Sequence, residues 1–466
     1  MRKFCRIAFA GFAFMVAVRL AAQAPAPTPP PVTAIRAARL FDGKSDTTVA
    51  NGVVVVQGSK ILAAGSGVAV PAGATVIDLG DATLLPGFID SHTHLTGEGG
   101  DNYIRDFFDG LRRPATEQVF YGAVYARRTL DAGFTTVRDV GSEKDLDVGL
   151  RNAIDAGLTP GPRMLVARYA LGATGGHCDN TGFPPGTFGP EPGLERGILH
   201  GPDEGRQAVR LDIKYGADVI KMCASGGVLS LGDDVSAPQL TDAELTAIID
   251  EAHRLKRKTA AHSHGDLAAR SAVKAGVDSI EHGSFLTDET LALMKSRGTF
   301  LVPTCMAGQW TGNKLERFPP AVAAKAKAAL DAHDDMMRRA IRSGVKIAFG
   351  TDSGVGPHGS NAGEFALLVA RGMTPAQALR TAGPAAAELL GLSAEIGTLE
   401  KGKQADIVAV PGDPLADIRV TERVRYKGIA PLFRSLATSP HKTAIARRKT
   451  PTPSQSIVHW FSRVQT

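Results

Sequence analysis

Eight short apolar or β-branched runs follow one another between residues 86 and 385, with stretches of helical character between them. They centre on residues 88–90, 135–139, 163–168, 219–222, 259–262, 278–281, 300–303 and 346–350. Strand and helix alternating in this way indicate a parallel sheet covered by helices. Two of the intervening helices have clear boundary signals. Thr241-Asp242-Ala243-Glu244 is a capping box opening a helix that runs to about Lys258. Residues 321–342 are rich in alanine and charge and stop at Gly344, a C-terminal signal. Eight such units predict an α/β fold, a (β/α)8 TIM barrel, whose active site would sit at the C-terminal ends of the strands.

The flanks read differently. Residues 33–85 carry short strands and turns, such as Gly52-Val53-Val54-Val55-Val56-Gln57-Gly58, and no helical periodicity. Residues 397–410 give a turn and then a strand. We expect these two flanks to form one small β-sandwich domain from both chain ends, 33–85 and 386–427, around the barrel at 86–385. Residues 1–22 read as a signal peptide: basic Arg2, Lys3 and Arg6, an apolar run from Ile7 to Val18, then Ala21-Ala22. The run is too short for a comfortable membrane span. A secreted or periplasmic protein with no stable membrane span after processing is expected. A stiff proline-rich linker follows at 23–32.

The formal charge of +6 is concentrated at the ends. Arg2, Lys3, Arg6 and Arg19, with Arg434, Lys442, Arg447, Arg448, Lys449 and Arg463, supply ten positive charges, and without them the body is near −4. That argues against a nucleic-acid partner. Residues 428–466 contain no acid and no sustained periodicity, and are expected to be poorly ordered. After processing, Cys178, Cys223 and Cys305 remain; one disulfide is compatible with an oxidising compartment, and spacing does not choose it.

Six candidate metal ligands stand at the ends of the strand-like runs. They are His92 and His94, Lys221, His262, His282 and Asp352. A His-x-His pair alone is weak. The ordered series is specific, because imidazoles and carboxylates converging at one end of a barrel are what a hydrolytic metal site needs. His177 follows a Gly-rich loop and is expected to face the site, polarising a carbonyl or contacting a substrate carboxylate. His264 lies two residues beyond His262, hence on the same side of a strand, and is expected to touch substrate. His358 is loop-borne, with a structural role.

With these residues in view, residues 33–427 resemble the metal-dependent amidohydrolase superfamily, especially its imidazolonepropionase-like and Xaa-Pro dipeptidase-type members, some of which hydrolyse the amide of ochratoxin. The resemblance rests on 85–94 (Leu-Pro-Gly-Phe-Ile-Asp-Ser-His-Thr-His), 172–177 (Gly-Ala-Thr-Gly-Gly-His), 280–283 (Ile-Glu-His-Gly), 350–354 (Gly-Thr-Asp-Ser-Gly) and 402–406 (Gly-Lys-Gln-Ala-Asp). It implies two divalent metals, zinc by expectation. His92, His94 and Asp352 would hold one, His262 and His282 the other, and Lys221, carboxylated on its amine, would bridge them. It further implies attack on an amide by a metal-bridging hydroxide, with Asp352 shuttling the proton to the leaving nitrogen. The implied enzyme is a hydrolase of a carbon–nitrogen bond in a dipeptide or other small-molecule substrate, and a homo-oligomer. N-acyl amino acids such as ochratoxin, or cyclic amides, are the alternatives. A non-catalytic binder would be expected to have lost a ligand, and all six are present. The chain departs from the family after Tyr426, where Lys427 leads into Ser/Thr/Arg-rich sequence in place of a final hydrophobic strand.

Overall fold

The computed structural model describes residues 30–428. The expected signal peptide, the linker up to residue 29 and the tail beyond Gly428 lie outside the described residues.

The first sheet draws on both flanks. Its strands are β1 (Val32–Leu40), β2 (Val49–Gln57), β3 (Lys60–Ser66), β4 (Thr75–Asp78) and β5 (Ala82–Pro86) from the start of the described chain. A return segment near the end supplies another two. Seven strands result, in the order return hairpin, β5, β1, β2, β3, with β4 parallel to β1. The hairpin comprises Ile407–Pro411 and Tyr426–Gly428, and the first of these runs antiparallel to β5 with Leu85 opposite Val408. The 402–406 motif anchors this return. Asp406 accepts a bond from Arg163 at 2.8 Å, and its carbonyl accepts the Gly87 N–H at 2.7 Å. The motif therefore joins the sheet to the strands that follow.

Those strands are β6 (Phe88–Thr93), β7 (Phe134–Asp139), β8 (Arg163–Val166), β9 (Val219–Cys223), β10 (Lys258–Ser263), β11 (Ser279–His282) and β12 (Phe300–Val302). They pair in parallel as two groups, β6-β7-β8 and β9-β10-β11-β12. Several covering helices bury alanine-rich faces, as Asp266–Ala275 does with Ala268, Ala269, Ala272 and Val273. The helix Asp242–Arg254 opens with the anticipated capping box at Thr241 and Glu244. Pro320–Ser343 ends on Gly344 in the left-handed region. Beneath the strand starts, Phe88, Phe134, Phe349 and Phe365 form an aromatic cluster with ring centroids 4.5–5.5 Å apart. The apolar end is thus filled, and polar groups collect at the opposite end.

The eighth expected strand, 346–350, is not a regular strand. Its backbone bonds go to three different places. The Leu301 N–H donates to the Lys346 carbonyl and the Ala348 N–H to the Leu301 carbonyl. The Ser91 N–H donates to the Phe349 carbonyl, but the Phe349 N–H turns away to the Thr381 carbonyl at 3.0 Å. A ladder cannot continue when alternate amides leave it. The segment still links β12 to β6, and a parallel bridge joins Leu171 to Met222 between β8 and β9.

Gly350 sits at the tightest point of this segment. A Cβ there would lie 2.2 Å from Val302 Cγ1 and 3.0 Å from the His92 Cβ. Gly350→Ala is therefore expected to destabilise the protein by ~1–3 kcal/mol, the cost of overpacking a filled interior. Urea unfolding of the two proteins measures this; an unchanged midpoint would mean the segment is loosely packed.

Candidate metal centre

Strand geometry brings the candidate residues to one place. His92 with His94, Lys221 with Cys223, and His262 with His264 are spaced by two at the C-terminal ends of β6, β9 and β10, His94 and His264 each one residue past its strand, so alternation sends each pair to the same side. His282 and Asp352 need more than alternation. Both adopt positive φ, 70° and 58°, and so does Thr304 at 54°. Such backbone is costly for residues other than glycine and concentrates where function fixes a side chain. It turns His282 inward directly after Glu281, which already points inward.

One cavity of about 460 Å³ is lined by His92, His94, His177, Lys221, His262, His264, His282 and Asp352. All eight residues singled out from the sequence therefore meet. Potential ligand atoms of His92, His282 and Asp352 lie within 4.8 Å of one another, as do those of His262, His264 and His282. His282 belongs to both sets, and His264 joins the second more closely than a substrate-contact role implies. Asp352 Oδ1 is 3.3 Å from His94 Nε2 and 3.5 Å from His92 Nε2.

Most of the imidazoles use Nδ1 outward. His92 Nδ1 meets Glu281 at 2.7 Å, His94 Nδ1 the Gly141 carbonyl at 2.9 Å, His264 Nδ1 the Ser284 hydroxyl at 2.9 Å and His282 Nδ1 the Thr304 hydroxyl at 2.8 Å. Their Nε2 atoms are left for the interior. This is the arrangement that orients metal-binding histidines. Burial keeps the rings neutral: the His92 pKa falls to about 4 and that of His264 to about 3, while those of His262 and His282 fall well below the ordinary value. His94 differs: burial lowers it, but the adjacent Asp352 outweighs burial and raises it. Neutral imidazoles with an inward nitrogen, beside one carboxylate, are a donor set suited to a divalent cation.

Lys221 is buried in the same cluster, and no carboxylate lies within ion-pairing distance of its amine among the described residues. Burial lowers its pKa to about 8, against the opposing pull of Glu281 and Asp352. A larger share of neutral amine is what carboxylation by carbon dioxide requires.

Beneath the ligands lies a charge pair that the sequence reading did not single out. Arg138, on β7, and Glu281, on β11, are both fully buried. Arg138 donates to Glu281 Oε1 at 2.8 Å, to the Ser91 carbonyl at 2.5 Å and to the Ser279 hydroxyl at 3.0 Å. The other Glu281 oxygen holds His92. Burial would raise the Glu281 pKa, but Arg138 and His92 overcome it and hold it at about 2. Asp90 plays the parallel part for Asp352. It accepts bonds from the His92 N–H, the Thr351 N–H and hydroxyl, and Asn361. Their signal was adjacency: Asp90 and Glu281 each lie within two residues of a ligand.

Cys178 and Cys223 form a disulfide, resolving the open pairing, while Cys305 is a buried free thiol. Both half-cystines line the cavity. The bond ties the loop bearing His177 to the strand bearing Lys221. His177 stacks on His262, centroids 4.2 Å apart, with Nδ1 on the Ser230 hydroxyl at 2.9 Å. His358 is structural as expected, bonding the Gly97 carbonyl at 2.7 Å and stacking on Tyr125.

Comparison with known proteins decides the family. A model described as the amidohydrolase family matches residues 83–429. The chain belongs to the amidohydrolase family. It is 36% identical over 359 residues to an ochratoxinase of Aspergillus niger, covering 72% of each chain. Among solved structures it is similar to a Xaa-Pro dipeptidase with methionine bound in its active site, with a TM-score of 0.81, 37% identity, and coverage of 86% of this chain and 99% of that one. The solved A. niger ochratoxinase gives a TM-score of 0.76 at 32% identity, covering 86% and 95%. Family and neighbours together imply a TIM-barrel-like fold and a hydrolase acting on amide bonds, of a family that generally binds metal.

The buried pair can be tested apart from turnover. Glu281→Gln is expected to lower stability by ~3 kcal/mol, because the Arg138 charge is left uncompensated, and to weaken zinc binding ~10–100-fold through loss of the His92 support. The double replacement Arg138→Met with Glu281→Leu should recover much of the stability but not the zinc affinity. Urea unfolding and chelator competition read the two effects separately. Unchanged zinc affinity in both variants would remove Glu281 from any role in orienting His92.

Proposed function

We propose that this amidohydrolase is an exported binuclear enzyme that cleaves the peptide-like amide of a dipeptide, Xaa-Pro or related, or of an N-acyl amino acid. The convergence of all eight candidate residues on one cavity carries this reading. His92, His94 and Asp352 would hold one ion, His262 and His282 the other, with Lys221 bridging as a carbamate and zinc the expected metal. Two bound dications would supply Lewis acidity toward the carbonyl oxygen and lower the pKa of a shared water. For the fold, we propose that the two parallel strand groups and the 346–353 segment close as one barrel, and that the seven-stranded sheet wraps as a small β-sandwich.

The chain's own residues do the rest. Asp352 is buried among histidines. Burial would raise its pKa, but His92, His94 and Lys221 hold it below the ordinary carboxylate value, so it stands ready to accept a proton. It takes the proton from the attacking water and delivers it to the amide nitrogen, which cannot leave as an amine anion. His177, made neutral by burial with its pKa at about 4, offers a hydrogen-bond donor to the substrate rather than a charge. Lys144 and Arg196 line the same cavity and suit the carboxylate of the leaving amino acid. In a cyclic amide the released amine stays tethered to the acyl half, so no separate amino acid leaves, and the expected export signal also weighs against that class.

A screen of Xaa-Pro and other dipeptides and of N-acyl amino acids, using zinc-loaded protein, tests the proposal. Asp352→Asn is expected to keep the fold and much of the metal while kcat falls at least ~10²-fold. Turnover at the wild-type rate would remove Asp352 as the proton carrier. Failure of the zinc-loaded wild type on every acyl amino acid would overturn the substrate class.

A further inference from the structure

The Cys178–Cys223 disulfide is part of the wall of the metal-site cavity, together with His177, Lys221 and His262. Cys223 is buried on β9, whereas Cys178 is partly exposed on the loop that follows β8. A small reductant entering the cavity can therefore reach the bond from the Cys178 side.

Two relations set the Cys223 side chain against the metal-site residues. It follows Lys221 at the alternation period of β9, so both side chains leave on the same side. In the parallel register of β9 and β10, Cys223 is the partner of His262. Neighbouring strands lie about 4.8 Å apart, so paired residues on one face carry their Cβ atoms at about that spacing. Zinc–sulfur and zinc–nitrogen bonds of about 2.3 and 2.1 Å let a cysteine and a histidine so placed share one ion. Opening the disulfide leaves the backbone of β9 in place. The Leu171 N–H donates to the Lys221 carbonyl at 2.9 Å, and the Cys223 N–H to the Leu171 carbonyl at 2.8 Å. On the loop, the His177 N–H donates to Gln239 at 2.8 Å. The Cys223 main chain is thus fixed by bonds that the disulfide does not supply, and reduction frees its sulfur to turn about Cα–Cβ.

We propose that the disulfide masks a metal ligand, and that opening it makes Cys223 a thiolate ligand of the ion held by His262 and His282; this rests on the metal-binding reading of the cluster given above. A dithiol opens the bond by exchange. The two thiols of the reductant close into a disulfide of their own, and two electrons and two protons pass to the sulfurs of Cys178 and Cys223. The Cys223 thiol then gives its proton to solvent as the sulfur binds the ion, because a coordinating thiol is deprotonated. A zinc site closed by protein ligands is structural, whereas a hydrolytic one keeps a position open for water or substrate. The oxidised chain leaves that position open, and the reduced chain fills it with a soft ligand that zinc favours. Hydrolysis is thereby coupled to the thiol–disulfide balance of the surroundings.

Cobalt(II) reports sulfur ligation directly, because a bound thiolate adds a near-ultraviolet charge-transfer band that imidazole and carboxylate ligands do not give. The full chain is stripped of metal with a chelator and titrated with cobalt(II) without air. Four forms are compared: untreated protein, protein reduced with a phosphine that leaves as its oxide with oxygen from water, Cys178→Ser and Cys223→Ser. Both variants lose the covalent tie, but only Cys178→Ser keeps the sulfur at position 223. The band is expected at about one equivalent per chain in the reduced protein and in Cys178→Ser, and in neither the untreated protein nor Cys223→Ser. Cobalt uptake without the band in the reduced protein, or the same spectrum from both variants, would overturn the proposal and leave the metal centre standing. A band already present in the untreated protein would mean that nothing is masked. No cobalt uptake by any form would overturn the proposal and the metal centre together. If a variant does not fold, the reduced and untreated wild type still decide, and identical spectra from the two would reject the mask.

Discussion

A carboxylate without access to solvent organises the interior of this protein. Glu281 cannot be ionised there unless a cation compensates it, and Arg138 does so from a neighbouring strand group. Once ionised, its second oxygen fixes the ring of His92. That ring stands 5.0 Å from His282 and 5.4 Å from His94, so its orientation sets the scale of the whole cluster. The pair also spans β7 and β11, which belong to different strand groups. One interaction therefore serves both the assembly of the fold and the aim of the site.

Aiming the remaining side chains costs backbone strain. His282, Thr304 and Asp352 all sit in the left-handed region, and each turns a side chain toward the centre that strand alternation would have sent elsewhere. Thr304 then holds His282 through its hydroxyl, and Asp90 clamps the Thr351 turn that precedes Asp352. The disulfide from Cys178 to Cys223 adds a covalent tie, joining the loop of His177 to the strand of Lys221. The fold thus spends rigidity at the mouth of the strands.

Much of this was legible in the sequence, for a definite reason. Ligands at strand ends obey alternation, so His92 with His94 and His262 with His264 could be assigned to one side from spacing alone. Seven of the eight strand runs are strands, six of them within two residues and the first running three residues further, to Thr93. The eighth failed because the Phe349 amide bonds the Thr381 carbonyl, a tertiary choice that local propensity does not encode. Glu281 was passed over because alternation places it opposite His282, and only the positive φ at His282 brings both inward. The cysteine pairing was unreadable for a similar reason: 45 residues separate partners whose Cα atoms come within 6.0 Å.

The central claim is that the cluster holds two ions joined through a carboxylated Lys221. Metal analysis of zinc-loaded, gel-filtered protein, wild type beside Lys221→Ala, tests it most directly, with growth on ¹³C-bicarbonate to label the carbamate for NMR. The account predicts about two zinc ions per wild-type chain, a labelled carbamate signal that the variant lacks, and loss of at least one ion on substitution. A wild type that binds no zinc, or a variant that keeps both ions, would contradict it.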